Sequence, residues 1–199
     1  MRRTHSEVTD TDEIARILTA TTIGRLGTKG ADGYPYVTPV SFVFDEGHIY
    51  FHCATVGEKL TNIQRDPRVC FEVDIPLAYF EAAFDPQRRA CKLHQFYHCV
   101  IIRGEASIVP NGPQKTAALN ALVLKHEGED SCLPVTEDSP PYEACHVVKI
   151  TPASITAKSD LGQNKTQEER LALARDLRRR NDPADLATIH AMGFDPSQL

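Results

Sequence analysis

The sequence predicts a mainly β fold, a β-barrel with helices at its margins, and two observations support this prediction. About six short segments have strand character, only three or four have helical character, and the two kinds do not alternate along the chain. The chain also contains neither a G-x-G-x-x-G fingerprint nor a P-loop, which removes the two commonest nucleotide-binding patterns. A doubly wound parallel sheet is therefore not expected.

Composition narrows the class of protein. Of the 199 residues, 41% are apolar and 25% are charged, which is ordinary for a globular protein, and the net charge of -5 gives no general case for binding nucleic acid or an anionic membrane. No segment approaches the roughly 18 consecutive apolar residues that a transmembrane helix needs. The first residues lack the apolar core of a signal peptide, so a cytoplasmic protein with six reduced cysteines is expected.

The chain opens with a helix and a strand. An Asp-x-x-Glu cap that begins at Asp10 precedes apolar residues at helical spacing, which predicts a short amphipathic helix over roughly residues 10–20. Thr21–Thr28 reads as the first strand, and the glycine-containing turn at 30–33 leads into the next one.

The stretch from Tyr34 to Leu60 is the centre of the prediction. Tyr36–Phe44 is rich in β-branched and aromatic residues, Asp45–Gly47 forms a turn, and His48–Cys53 reads as the returning strand of a hairpin. Because proline removes a ladder donor, a bulge or break is expected near Pro39.

A capped helix start is predicted directly after this hairpin. Thr55 and Glu58 have the spacing of a capping box, and Lys59 would then lie in the first turn of the helix. A helix N-terminus with a lysine beside it is suited to an anion such as a phosphate. The alternative interpretation is a structural hairpin followed by a surface lysine.

The rest of the chain divides into a barrel domain over residues 1–159 and a helical C-terminal extension over 160–199. Composition changes beyond Ser159, where a Thr-x-x-Glu cap at Thr166 begins a charged helix. The later elements predicted in the barrel domain are a strand at 68–74, a long loop or irregular helix at 75–89, a strand at 91–109, a helix from Pro113, a surface loop at 127–143 and a strand over 145–158 broken at Thr151–Pro152.

Cysteine and histidine residues suggest two further kinds of chemistry. A zinc site could use Cys91, His94 and Cys99, but His98 and Cys99 point to opposite faces of a strand, so the spacing is poor and no metal site is predicted. A Cys–His nucleophile such as Cys53 with His98 is a second possibility, although nothing in the sequence orients the pair. Small core cysteines and partly buried histidines are the simpler interpretation.

The order of several short motifs closely resembles a known family. The flavin-binding split-barrel proteins of the pyridoxamine 5'-phosphate oxidase-like superfamily, and within them the group that includes the nitroimidazole resistance proteins, carry similar pieces in the same order. The matching pieces are Gly24-Arg25-Leu26, Tyr34-Pro35-Tyr36, Pro39-Val40-Ser41-Phe42, Ile49-Tyr50-Phe51-His52, Gly57-Glu58-Lys59-Leu60, the stretch from Asn62 through Pro67-Arg68-Val69, Tyr97-His98-Cys99 and Lys149-Ile150-Thr151-Pro152.

The resemblance implies a six-stranded split barrel that forms a homodimer, with FMN at the subunit interface. The ring of the flavin would lie along one group of residues and its ribityl chain and phosphate along a second. Tyr97 and Cys99 would come from the other subunit. The ring-binding residues would be Pro39, Val40, Ser41 and Phe42, and the residues of the phosphate end His52, Cys53, Ala54, Thr55, Lys59 and Leu60.

Two departures from the family pattern affect the expected function. Cys53-Ala54 and Cys99 stand where hydroxyl residues are common, so Thr55 or backbone would supply a phosphate hydrogen bond. The chain has no tryptophan and no C-terminal arginine pattern like that of the true pyridoxamine phosphate oxidases, so that substrate is not expected.

The leading hypothesis is a flavin-dependent oxidoreductase that reduces a small oxidised substrate such as a nitro compound, with FMN preferred to FAD. His52 and His98 are the candidate acid–base residues because histidine titrates near neutral pH. The alternative is a non-enzymatic flavin- or haem-binding module on the same fold, in which these two histidines would bind haem.

Overall fold

The computed structural model describes residues 4–199, so the first three residues of the predicted barrel domain lie outside the described chain. Mainly antiparallel β structure with marginal helices is confirmed. The strands in the described chain are β1 (Glu7–Val8), β2 (Ile23–Lys29), β3 (Pro35–Ser41), β4 (Val43–Asp45), β5 (His48–Ala54), β6 (Arg68–Phe80), β7 (His94–Val109) and β8 (Cys145–Asp160). The α-helices are α1 (Thr11–Ala20), α2 (Glu58–Arg65), α3 (Pro113–Glu127), α4 (Gln167–Arg180) and α5 (Pro183–Ala191).

The strands form one sheet in the order β3-β2-β6-β7-β8-β5-β4, and β1 pairs with the end of β8. The chain divides into two compact units. Unit 1 consists of the described part of Met1–Asp10, together with Asp74–Cys99 and Ala157–Leu199; unit 2 consists of Thr11–Val73 and Val100–Thr156. The predicted division at residue 159 stays a prediction.

The central hairpin differs from its prediction. The predicted strand over 36–44 is two strands, because the ladder stops at Phe42, and β3 pairs with β2 rather than with the returning strand. Of these two strands, it is β4 that pairs with β5, through Val43↔Tyr50 and Asp45↔His48. The turn at 30–33 therefore joins two paired strands, β2 and β3, and it is closed by the Gly30 amide, which donates to the Tyr34 carbonyl at 2.8 Å. This division, with the two-residue β1, accounts for eight strands where about six were expected.

Two other strands are longer than predicted. β6 continues through the segment that was expected to be a loop, as far as Phe80, with exposed Pro76 inside it. β8 runs without the predicted break at Thr151–Pro152. Gly104 shows why the neighbouring strands can lie so close together there, since a Cβ at this position would stand 2.2 Å from the Thr151 carbonyl oxygen.

Unit 1 has a core of its own, built from strand residues and from the two C-terminal helices. The predicted cap of α4 is confirmed: the Thr166 side chain accepts from the Glu169 amide at 3.2 Å, and Glu169 accepts from the Thr166 amide at 2.8 Å. The buried members of the core are Ala78, Phe80, Phe96, Leu161, Ala174, Leu177, Ile189 and Met192.

In unit 2, helix α3 is held by a buried lysine. The Lys115 ammonium donates to Asn111 Oδ1 at 2.9 Å, to the Tyr142 carbonyl at 2.7 Å and to the Cys145 carbonyl at 2.8 Å. Three oxygen acceptors satisfy the three donors of an ammonium, so the charge is tolerated at 1% exposure. Among residues 4–199, none of the helices has the length and apolar character needed to cross a membrane.

Candidate functional site

The predicted ring-binding residues lie at the end of β3. Pro39 and Ser41 are exposed, whereas Val40 between them is buried, as expected when side chains alternate across a strand. The register places Pro39 opposite Arg25 of β2, whose guanidinium lies 3.2 Å from the Glu72 carboxylate. A ligand along this edge could meet two side chains of β3 and, at Val40, only the backbone.

Phe42 follows β3 and its ring is fully buried. The ring meets Phe71 edge to face at 4.9 Å between centroids, and the Lys125 ammonium lies 3.7 Å from the centroid of the Phe42 ring. The Phe42 carbonyl oxygen is 3.2 Å from His126 Nε2. Phe42 therefore contributes to the core of unit 2, and its backbone rather than its ring would be the part available to a ligand.

The Lys125 ammonium above Phe42 should make stability depend on pH. Burial lowers the pKa of Lys125 to about 8, from 10.5 in the unfolded chain. Between these values the unfolded state binds more protons, so the free energy of unfolding should rise as pH increases from about 8 to 10.5. We expect Lys125→Met to remove this rise. Urea denaturation at pH 7.5 and 9.5 measures it, and an equal rise in both proteins would contradict the assignment.

The predicted phosphate end begins at the last residues of β5. His52 and Ala54 are exposed, and Cys53 between them is buried. Burial raises the pKa of the Cys53 thiol, and the Lys59 charge partly offsets this effect. The Lys59 ammonium therefore lies within electrostatic range of the end of β5. His52 and Ala54 share the exposed side of the strand, while Cys53 could contact a ligand only through its backbone.

The helix start corrects one prediction. Helix α2 begins at Glu58, its N-cap is Gly57 at φ 143°, and no side chain caps it, so the capping box proposed from Thr55 does not form. The reason is that Thr55 lies two residues before the N-cap and is part of an exposed turn. The first amides that bond back to the Gly57 carbonyl belong to Leu60, at 3.1 Å, and Thr61, at 3.2 Å.

Because no side chain caps this helix start, the backbone amides of Glu58 and Lys59 precede the first intrahelical hydrogen bond and are not used by it. A Cβ built at Gly57 meets nothing within 4 Å, so the turn faces open space. Helix geometry and the adjacent ammonium together make this turn attractive to a dianion. Thr55 is exposed beside it.

Asn62 anchors helix α2, a role that sequence reasoning did not assign. Its side chain is 1% exposed, its amide donates to Thr28 Oγ1 of β2 at 3.1 Å, and its carbonyl oxygen accepts from the Arg65 guanidinium at 3.0 Å. Leu60 and Ile63 are also buried. Leu60 therefore supports the helix start from inside unit 2. The only sequence signal for Asn62 was its place in the series of motifs that resembles the flavin-binding family.

The remaining predicted residues belong to unit 1. Tyr97 and Cys99 are half-buried on one side of β7, and His98 on the other side is 3% exposed, with its Nδ1 2.6 Å from Ser159 Oγ. The structure thus brings together the predicted residues of β3, β5 and α2 in unit 2, while these three residues stand in the other unit. In the described chain, no group of three histidine, cysteine or acidic residues could hold a metal ion.

Comparison with known proteins gives the family. The profile of the family described as pyridoxamine 5'-phosphate oxidase matches residues 10–159. A 5a,11a-dehydrotetracycline/5a,11a-dehydrooxytetracycline reductase of Streptomyces rimosus is 34% identical over 94 residues, which are 45% of this chain and 56% of that relative. The chain therefore matches little more than half the length of that curated relative.

Solved structures support the fold. A candidate 5-nitroimidazole antibiotic resistance protein from Bacteroides thetaiotaomicron superposes with a TM-score of 0.65 at 19% identity, covering 77% of this chain and 86% of that one. The FAD and haem binding protein of Mycobacterium smegmatis gives 0.68 at 13% identity, covering 84% and 79%. At such identities the likeness shows the fold alone, and it confirms the split-barrel class that the motifs indicated.

Proposed function

Because the chain belongs to the pyridoxamine 5'-phosphate oxidase family, we propose that it binds a flavin, FMN in preference to FAD, and passes reducing equivalents to a small oxidised substrate such as a nitro compound. The observation that carries the proposal is the uncapped start of α2 with Lys59 beside it, which suits the terminal phosphate of FMN. The reductase of Streptomyces rimosus named above supports a reductive reaction.

The residues present fit a flavin phosphate. Lys59 supplies an ammonium, the first amides of α2 supply backbone donors, and Thr55 supplies an exposed hydroxyl that replaces the hydroxyl residue missing at Cys53-Ala54. His52 would stand beside the ribityl chain, on the exposed side of β5. Along the ring, Pro39 and Ser41 would offer side chains.

The flavin would supply the redox chemistry, and the protein would supply orientation and a proton. His52 is the proposed proton donor because it is exposed, whereas His98 is buried and held by Ser159. We further propose that a second subunit contributes Tyr97 and Cys99 to each flavin site, as the resemblance implies.

Cofactor loading tests the proposal. Purified protein incubated separately with FMN, FAD and haem, then desalted, should retain FMN and show its two broad near-ultraviolet and blue absorption bands. Anaerobic reduction of the loaded protein with dithionite, followed by a nitroarene, should restore the oxidised flavin spectrum. A protein that stays colourless with both flavins would contradict the proposal, and a sharp Soret band with haem alone would favour the haem-binding alternative.

The homodimer can be tested through the exposed apolar residues of the β2–β3 hairpin. Val37 is 61% exposed and Tyr34 is 74% exposed, and Val37 lines a groove of about 840 Å³ along β2, β6 and β7. We expect a dimer in sedimentation velocity, and Val37→Asp should shift it toward monomer because a carboxylate would be buried. The matched substitution Val56→Asp, on an exposed valine that does not line this groove, should leave the dimer intact. A monomeric wild type would contradict this part of the proposal.

A further inference from the structure

A second cavity, of about 600 Å³, lies wholly within unit 1 and includes none of the residues proposed to hold the flavin. Its volume is in the range of small-molecule sites. It is lined by Phe80, Phe84, Leu93, His94, Phe96 and Leu173, among others. The walls thus combine aromatic and aliphatic side chains with charged ones, and no function has been assigned to them so far.

The aromatic side chains are arranged in two pairs. Phe80 and Phe84 are stacked, with centroids 4.8 Å apart and planes 29° apart. His94 meets Phe96 edge to face, with centroids 4.6 Å apart. Aromatic surfaces of this kind favour offset or edge-to-face contact with a further flat ring.

Three of the four carboxylates that line the cavity are already engaged. The Asp85 carboxylate accepts from the Arg89 guanidinium at 2.8 and 2.9 Å. Glu169 is engaged in the α4 capping box, whose backbone hydrogen bond lowers the pKa of this carboxyl. Asp176 is paired with Arg179. These carboxylates are therefore committed to partners within the protein.

Three hydrogen-bond donor groups of the cavity lining have fewer partners than these carboxylates. The ammonium groups of Lys92 and Lys165 form no hydrogen bond or ion pair with residues 4–199, although both lie near enough to Glu169 to lower its pKa. His94 Nε2 is buried and has no hydrogen-bond partner in the described chain, and it lies 3.3 Å from the Asp160 carboxylate. A ligand with acceptor oxygens would satisfy these donors.

We propose that this cavity binds a planar aromatic molecule whose substituents are neutral hydrogen-bond acceptors, such as nitro or carbonyl oxygens. The aromatic side chains of the cavity favour a flat ring in the ligand. The donors without partners favour a ligand that carries hydrogen-bond acceptors. A strongly anionic ligand is disfavoured because four carboxylates line the cavity against three ammonium or guanidinium groups. The binding does not require the flavin, since none of the lining residues is among those proposed to hold it.

Equilibrium dialysis of the full-length protein with 4-nitroanisole tests the proposal. No reductant is added, so that the probe is not consumed, and the flavin content is measured separately. 4-Isopropylanisole, which has a similar shape but lacks the nitro oxygens, is the ligand control. Ala172→Phe should fill the cavity from an exposed position on α4, and Ala117→Phe makes the same change at an exposed alanine on α3.

We expect saturable binding of 4-nitroanisole, about tenfold or more weaker binding of 4-isopropylanisole, and a similar loss of 4-nitroanisole binding in Ala172→Phe. Ala117→Phe should bind like the wild type, and circular dichroism should show both variants folded. His94→Asn should reduce the preference for the nitro compound.

Absence of saturable binding to the wild type would overturn the proposal. So would equal binding by Ala172→Phe and the wild type, or an equal loss in both phenylalanine variants. Because flavin loading is measured on the same samples, failure here is separable from failure of the proposed function: a protein that retains FMN and binds 4-nitroanisole equally well in Ala172→Phe and the wild type would refute only this inference, since that binding would then belong to the flavin site.

Discussion

Lys59→Ala is expected to weaken FMN binding by about 1–3 kcal/mol, or roughly 5- to 150-fold, if the ammonium is paired with the phosphate. The amides at the start of α2 would remain, so binding should be reduced rather than abolished. Quenching of flavin fluorescence during titration measures the affinity. Part of the loss should disappear at high salt, because screening weakens the wild-type interaction as well.

Two controls make this result specific to the phosphate. Lys149→Ala removes a lysine of β8 that lies over the Tyr50 ring, outside the proposed site, and should leave FMN affinity unchanged. Riboflavin, which lacks the phosphate, should bind wild type and Lys59→Ala with similar affinity. Unchanged FMN affinity in Lys59→Ala would show that the phosphate lies elsewhere.

Arg180→Met is expected to give the largest loss of stability, about 3–5 kcal/mol, because it leaves a buried carboxylate without its cation. The Asp185 side chain is 0% exposed and accepts two hydrogen bonds from the Arg180 guanidinium, at 2.6 and 2.9 Å. The same guanidinium donates to Glu81 and to the Tyr79 carbonyl, each at 3.1 Å. The hydrogen bonds to Asp185, and after them the one to Glu81, raise the pKa of Arg180. Urea denaturation measures the loss.

The neighbouring Arg179→Met is the matched control. Arg179 pairs with Asp176 at the surface and is 75% exposed, so its loss should cost less than about 1 kcal/mol. Equal effects of the two substitutions would contradict the assigned role of Arg180.

Local chemistry made some elements predictable and others not. The cap at Thr166 and the proline at Pro113 predicted helices α4 and α3 because each signal is satisfied within a few residues of itself. Strand β6 beyond Asp74 was missed since exposed Pro76 and mixed polarity obscure the alternation. What keeps that segment extended is its pairing and its packing in unit 1, neither of which a local pattern contains.

The candidate site was predictable in outline but not in detail. The order of motifs placed Lys59 beside a helix start, and the structure retains that arrangement. The cap itself was assigned to Thr55 because the Thr-x-x-Glu pattern is common and Gly57, with no side chain to signal its role, was overlooked. The partners that fix His98 and Asn62, at Ser159 and Thr28, are 61 and 34 positions away in sequence, and only tertiary structure pairs them.

The core of unit 1 has a consequence for how the protein is made in the cell. The Ala78 amide donates to the Thr188 hydroxyl, 110 positions later, and Phe80 and Phe96 are covered by Leu177 and Ile189. During translation these two phenylalanine side chains therefore stay uncovered until the chain through Ile189 has left the ribosome. Nascent chains arrested earlier should be the species most dependent on chaperones.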